Sequence, residues 1–106
     1  MAFRIKQNDT SPSIQATLTD ANLVPINLIG ATVMFHMKAT GGSIVVDREM
    51  TITNEEGGVV QYDWQSGDTD TAGTYLVEFE VTYTDGSIET FPNTGSLIVV
   101  VTPELN

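Results

Sequence analysis

Alternation of apolar and polar residues through positions 75–84 constrains the fold of this chain more than any other feature. The apolar or aromatic members at every second position are Tyr75, Val77, Phe79, Val81 and Tyr83. A period of two puts successive side chains on opposite sides of an extended backbone. The segment therefore predicts a half-buried β-strand.

Shorter segments elsewhere show the same alternation or a continuous apolar run. They are residues 3–5, 14–19, 33–38, 43–52, 60–64 and 97–101. Turn-forming residues separate several of them, at Gly41-Gly42, at positions 55–58 and at Asp85-Gly86. No segment sustains the spacing of an amphipathic helix. About seven short strands predict an all-β, antiparallel β-sandwich, with residues 1–106 forming one domain.

A local motif indicates which kind of sandwich this is. Asp70-Thr71-Ala72-Gly73-Thr74-Tyr75 enters the strongest predicted strand. It looks like the Asp-x-x-Gly-x-Tyr tyrosine corner of immunoglobulin-like domains, in which the tyrosine hydroxyl binds upstream backbone. Asp70, Gly73 and Tyr75 are therefore predicted structural residues, with Tyr75 buried and its hydroxyl bonded to the main chain.

Charge and composition exclude several classes of function. The net charge is −10, and residues 49–106 contain no lysine or arginine. A surface of this sign repels phosphate backbones, so we predict no nucleic-acid partner. The chain has no cysteine, which removes thiolate chemistry and cysteine-zinc sites. No apolar run approaches the roughly 20 residues of a spanning helix, so we also predict no membrane partner.

The residues that could carry chemistry form no catalytic pattern. His36 is the only histidine, and the alternation places it on the outward side of a strand without a nucleophile beside it. Asp63, Asp68 and Asp70 are weak candidates for Ca²⁺ ligands, because their spacing does not match an EF-hand loop. We therefore predict no catalytic residue, no cofactor and no metal, and a protein that is not an enzyme.

Two segments are predicted to lie at an interface. A two-residue turn at Asp85-Gly86 would pair Tyr83 with Ile88, which puts Phe91 on the outward face unless a bulge intervenes. Alternation can send only half of the apolar run 97–101 into the core.

In one phase of that run Ile98 and Val100 point outward, and in the other phase Leu97, Val99 and Val101 do. The run also lacks the charges that normally protect an exposed edge strand. We predict an assembly interface at Phe91, Ile98 and Val100. The alternative is that residues 21–29 of the same chain cover this face.

Taken as a whole, the chain resembles the amino-terminal immunoglobulin-like domain of phage baseplate upper proteins. The segments that carry the resemblance are 3–10, 14–20, 26–33, 35–37, 73–83, 85–86 and 90–93. The resemblance implies a symmetric building block that attaches a host-binding apparatus to the tail. Longer family members continue into further regions, whereas this sequence ends at Asn106, so an accessory role at the baseplate, tail, neck or head is expected.

The function predicted from this resemblance is that of a structural component of a tailed-phage virion. It would be made in the bacterial host cytoplasm and would contact other virion proteins in multiple copies or as a homo-oligomer. The alternative is a free immunoglobulin-like module that binds a glycan or protein on a cell surface. A virion component should occur at fixed stoichiometry in particles, whereas a glycan binder should retain its ligand as a monomer.

Overall fold

The structure is a computed structural model that describes residues 2–105, and these residues form nine strands and no helix. The strands are β1 (Ala2–Lys6), β2 (Ile14–Thr17), β3 (Thr32–Ala39), β4 (Ile44–Glu49), β5 (Thr51–Asn54), β6 (Val59–Tyr62), β7 (Gly73–Thr82), β8 (Ile88–Phe91) and β9 (Leu97–Thr102). Within that range no helix is long and apolar enough to cross a membrane.

Two sheets pack face to face. The larger sheet has the order β1-β9-β7-β3-β4, with β8 pairing the second half of β7, and the smaller has the order β2-β6-β5. All pairs are antiparallel except β1 and β9, which are parallel. This arrangement confirms the predicted immunoglobulin-like sandwich, and it adds a parallel pair that the sequence did not predict.

The core lies between the sheets and consists of the inward positions of the alternating strands. Phe35 on β3 stacks on Tyr62 of β6, with ring centroids 4.2 Å apart. Trp64 packs edge-on against both rings, at 5.7 Å and 5.5 Å. Offset and edge-to-face contacts of this kind add to the gain from burying large apolar side chains. The aromatic cluster therefore joins the two sheets at the centre of the domain.

The predicted strand 43–52 is divided into β4 and β5 at Met50. Met50 is buried, and its N–H donates to the carbonyl of Val33 over 2.8 Å. Its two neighbours along the chain belong to different sheets, because β4 pairs β3 whereas β5 pairs β6. The chain thus passes from one sheet to the other at this residue.

The β7–β8 hairpin differs from the prediction by one residue, and Phe91 is buried as a result. The loop has three residues, Thr84, Asp85 and Gly86, with Tyr83 N–H bonded to Ser87 C=O over 2.9 Å. Phe91 therefore pairs with Phe79 instead of Glu80. A shift of one residue moves a side chain to the opposite face of a sheet. The prediction that Phe91 is exposed is wrong, since only 3% of its surface is accessible.

Candidate functional site

The outer face of the larger sheet carries a row of side chains that crosses four of its strands. Cross-strand pairing aligns Ile98 with Leu76, Leu76 with Lys38, and Lys38 with Ile44. Ile98 is 37% exposed and Ile44 is 53% exposed. A shallow depression of about 210 Å³ lies within this row and is bordered by His36, Glu78 and Ser96. The row thus combines exposed apolar side chains with one cation, and a non-obligate protein interface is about as apolar as the rest of a protein surface.

Strand β9 adopts the phase in which Ile98 and Val100 point outward. Val99 and Val101 are buried in the core, whereas Ile98 is exposed and Val100 is half-buried. The strand is not at an edge, however, because it pairs with β1 on one side and with β7 on the other. The run therefore needs no protective charges, and only its outer face is available to a partner.

The segment 21–29 lies against the smaller sheet. Ile26 N–H donates to Leu18 C=O over 2.9 Å, and Leu28 N–H donates to Glu55 C=O over 2.8 Å. Leu28 is fully buried, whereas Leu23 is 79% exposed. These contacts hold the segment at the smaller sheet and leave Ile98 accessible to solvent.

The three residues predicted to lie at an interface are therefore separated. Ile98 and Val100 share the outer face of the larger sheet, whereas Phe91 points into the core. Ile44, which extends the row onto β4, was not predicted from the sequence. A continuous apolar run could have indicated it, because Ile44-Val45-Val46 cannot be buried in full on a strand of one sheet.

The corner residues lie at the start of β7. Tyr75 is buried, and its hydroxyl donates to the carbonyl of Thr71 over 2.5 Å. Burial, together with the nearby Asp70 carboxylate, raises the pKa of Tyr75 above its usual value. The carbonyl of Asp70 accepts a hydrogen bond of 2.8 Å from Gln7 Nε2. These bonds connect the loop before β7 to the end of β1.

The carboxylate of Asp68 binds the side chains of Arg48 and Tyr62. It accepts hydrogen bonds from Arg48 Nη1 over 2.6 Å and from the Tyr62 hydroxyl over 2.5 Å. The backbone N–H of Gln65 also donates to it over 2.8 Å. Burial, with the bond to Asp68, raises the pKa of Tyr62 to about 12. Arg48 follows the buried Val46 by two positions and so lies on the same side of β4. This cation could have indicated a buried acidic partner, but it was not used to predict one.

The other two acids of this loop have separate partners. Asp63 accepts bonds from Ser13 and Gln61, and Asp70 accepts a bond from the Thr71 hydroxyl. The Ser13 and Gln61 bonds lower the pKa of Asp63. Among residues 2–105, no group of three or more histidine or acidic side chains is arranged to hold a metal ion. Asp63, Asp68 and Asp70 are not brought together as ligands.

His36 lies between two carboxylates on the outer face. Its Nδ1 is 3.0 Å from Asp47 Oδ1, and its Nε2 is 3.8 Å from Glu80 Oε1. Both neighbours are bases, and neither supplies the hydroxyl or thiol that a histidine would activate in nucleophilic catalysis. His36, Asp47 and Glu80 thus form a polar cluster on the outer face, beside the row that contains Leu76 and Ile44.

Comparison with known proteins identifies the family. A family model described as the BppU N-terminal domain matches residues 2–94. The chain belongs to this family. The match confirms the resemblance to baseplate upper proteins. The chain is therefore a structural protein of the phage baseplate.

Two further comparisons concern relatives and fold. No curated protein matches the chain significantly. The crystal structure of CopC from Methylosinus trichosporium OB3b is similar to it with a TM-score of 0.58 and 16% sequence identity, over 99% of this chain and 87% of CopC. At that identity the likeness shows a shared fold and nothing about the function of this BppU N-terminal domain.

Proposed function

We propose that this BppU N-terminal domain is a non-enzymatic component of a tailed-phage virion that works through protein–protein contacts. The observation that carries the proposal is the row on the outer face, whose apolar members are Ile98, Leu76 and Ile44. A partner that covers this row would gain roughly 25 cal/mol for each Å² of apolar surface removed from water. Repeated subunits of a particle supply such partners at high local concentration.

The charges around the row favour a protein partner. Lys38 lies within it, between Leu76 and Ile44, and His36, Glu78 and Asp47 lie beside it on the same three strands. Protein–protein interfaces that are not obligate combine apolar and polar side chains in about the proportion found on the rest of the surface. The net charge of −10 disfavours a phosphate backbone as the partner. We assign the partner to the other structural proteins of the virion, with this chain present in several copies.

The test is a lysine substitution at Ile98, with Leu23→Lys as the matched control. Leu23 is more exposed than Ile98 and lies on the segment held at the smaller sheet. Ile98→Lys should abolish incorporation into particles while the melting temperature stays within a few degrees of the wild type. Leu23→Lys should be incorporated normally. Normal incorporation of Ile98→Lys, or unfolding of that variant, would remove the outer face from the proposal.

A further inference from the structure

The two edges of the larger sheet carry opposite charges. On the outer face, β1 at one edge exposes Arg4 and Lys6, whereas β4 at the other edge exposes Asp47 and Glu49. Strand β4 also exposes Arg48, which lies on the opposite side of the strand and pairs with Asp68. Each strand has a neighbour in the sheet on one side only. Alternate backbone N–H and C=O groups along each edge therefore point away from the sheet, where a further strand could pair with them.

The four charged side chains also lie on the same face. Arg4 and Lys6 flank the buried Ile5 of β1, so both point away from the core. Asp47 and Glu49 pair with His36 and Met34, which alternate with buried residues of β3. All four side chains thus belong to the outer face.

The two cations of β1 have no carboxylate partner within the described part of the chain. The ion pairs among residues 2–105 involve only His36 and Arg48 as the basic members. Arg4 and Lys6 are therefore available to acids of another molecule.

Strand directions make the two edges compatible. Strand β1 is parallel to β9, and each step from β9 to β7, β3 and β4 reverses the direction. Strand β4 therefore runs antiparallel to β1. A second copy in the same orientation, with its β1 beside this β4, would continue the sheet with an antiparallel pair. Side chains from the two outer faces would then remain on one face.

We propose that β4 of one copy pairs with β1 of a second copy, head to tail. The register that fits both charge pairs places Arg4 opposite Glu49 and Lys6 opposite Asp47, with side chains on the outer face. Charges on an edge strand can also serve to prevent pairing. That protection depends on repulsion between like charges, however, and cations on one edge with anions on the other attract instead.

This inference concerns the sheet edges, so it goes beyond the proposed function, which concerns the apolar outer face. The two can fail separately. Contact through the outer face is measured by incorporation of Ile98→Lys into particles, whereas edge pairing is measured by self-association of the purified chain.

The experiment exchanges one charge pair across the two edges and follows association by sedimentation velocity. Arg4→Glu and Glu49→Lys are tested separately, as a 1:1 mixture, and combined in one chain. Each single variant should weaken association about tenfold, because the reversed charge faces a like charge. The 1:1 mixture and the doubly substituted chain should recover it, since both contain opposite charges across the interface.

Controls separate this effect from net charge and from folding. Glu56→Lys changes the charge by the same amount as Glu49→Lys at an exposed position in the β5–β6 turn, away from the two edges, and it should associate like the wild type. Melting curves check folding, and Lys6→Glu with Asp47→Lys is a second exchangeable pair. Edge pairing is overturned if the wild type remains monomeric up to on the order of 1 mM. It is also overturned if the doubly substituted, folded chain fails to recover association.

Discussion

Phe91 lies directly opposite Phe79 across the β7–β8 hairpin, and both side chains are buried in the core. Phe91→Ala should therefore lower the free energy of unfolding by about 3 to 4 kcal/mol, through lost burial and the cavity left behind. Ile88→Ala is the control, because Ile88 belongs to the same strand but is 62% exposed. It should change stability by less than about 0.5 kcal/mol. Urea unfolding measures both, and similar losses for the two variants would contradict the assigned register.

Gly58 lies where a side chain would meet main-chain oxygens on two sides. A Cβ there would be 2.7 Å from the carbonyl oxygen of Leu18 and 2.8 Å from that of Ile26, at a φ of +67°. Gly41 has a similar φ of +73° with open space around it. Gly41→Ala should therefore cost only the conformational penalty of about 1 to 2 kcal/mol. Gly58→Ala should lower the free energy of unfolding clearly more, measured as the difference in urea midpoint. Equal losses of stability in the two variants would show that the close approach to the two carbonyl oxygens has no energetic cost.

The Tyr75 hydroxyl has a backbone acceptor, the carbonyl of Thr71. Tyr75→Phe removes this bond and should destabilise the domain by roughly 0.5 to 1.5 kcal/mol. Tyr83→Phe is a suitable comparison, because the Tyr83 hydroxyl bonds to the carboxylate of Glu89, which can be rehydrated. The melting temperature should fall more for Tyr75→Phe. An unchanged melting curve for that variant would show that the bond from the Tyr75 hydroxyl to Thr71 does not contribute to stability.

The domain should lose stability at alkaline pH because of Tyr62. Burial raises its pKa from 10.0 to about 12, so the folded state retains the phenolic proton where the unfolded chain releases it. The stabilisation is complete below pH 10 and is lost as the pH rises through about 12. At most it amounts to about 2 to 3 kcal/mol.

Tyr62→Phe is the control for this pH dependence. Unfolding curves at a series of pH values should show a smaller alkaline loss in Tyr62→Phe than in the wild type. Identical losses in the two proteins would assign the effect to other groups. Tyr83 also has a pKa of about 12, caused by burial and its bond to Glu89, so the variant should retain part of the dependence.

Local periodicity was sufficient to predict most strands, because each strand is set by its own alternation of buried and exposed positions. Residues 75–83 predicted β7, and the alternation in 33–38 predicted β3. The β7–β8 register was not predictable in the same way, since Asp85-Gly86 fits a loop of two or three residues. Asp85 accepts bonds from the N–H and the hydroxyl of Ser87, which stabilises the three-residue form. The one additional loop residue places Phe91 on the opposite face of the sheet from the predicted one.

The outer face and the edges of the larger sheet are formed by pairing between strands that are distant in the chain, and no local sequence pattern predicts that pairing. Ile98 and Val100 could be named from the run 97–101, but the sequence left the phase of that run open. The position of Arg4 and Lys6 at one edge, opposite Asp47 and Glu49, follows from the order of strands in the sheet. That order includes a parallel pair between the two strands most distant in the chain, β1 and β9, which sequence spacing does not indicate.

The parallel pairing of β1 with β9 also determines how the domain responds to tension. Ala2 lies beside Ile98 and Lys6 beside Thr102, so the chain enters β1 at one end of the pair and leaves β9 at the other. A force that pulls these two ends apart acts along the strands and loads all the hydrogen bonds between them together. Antiparallel neighbours pulled from a shared end would instead open one bond at a time. Pulling through residues 2 and 102 should therefore require a higher rupture force than pulling through residues 73 and 102, whose strands β7 and β9 are antiparallel.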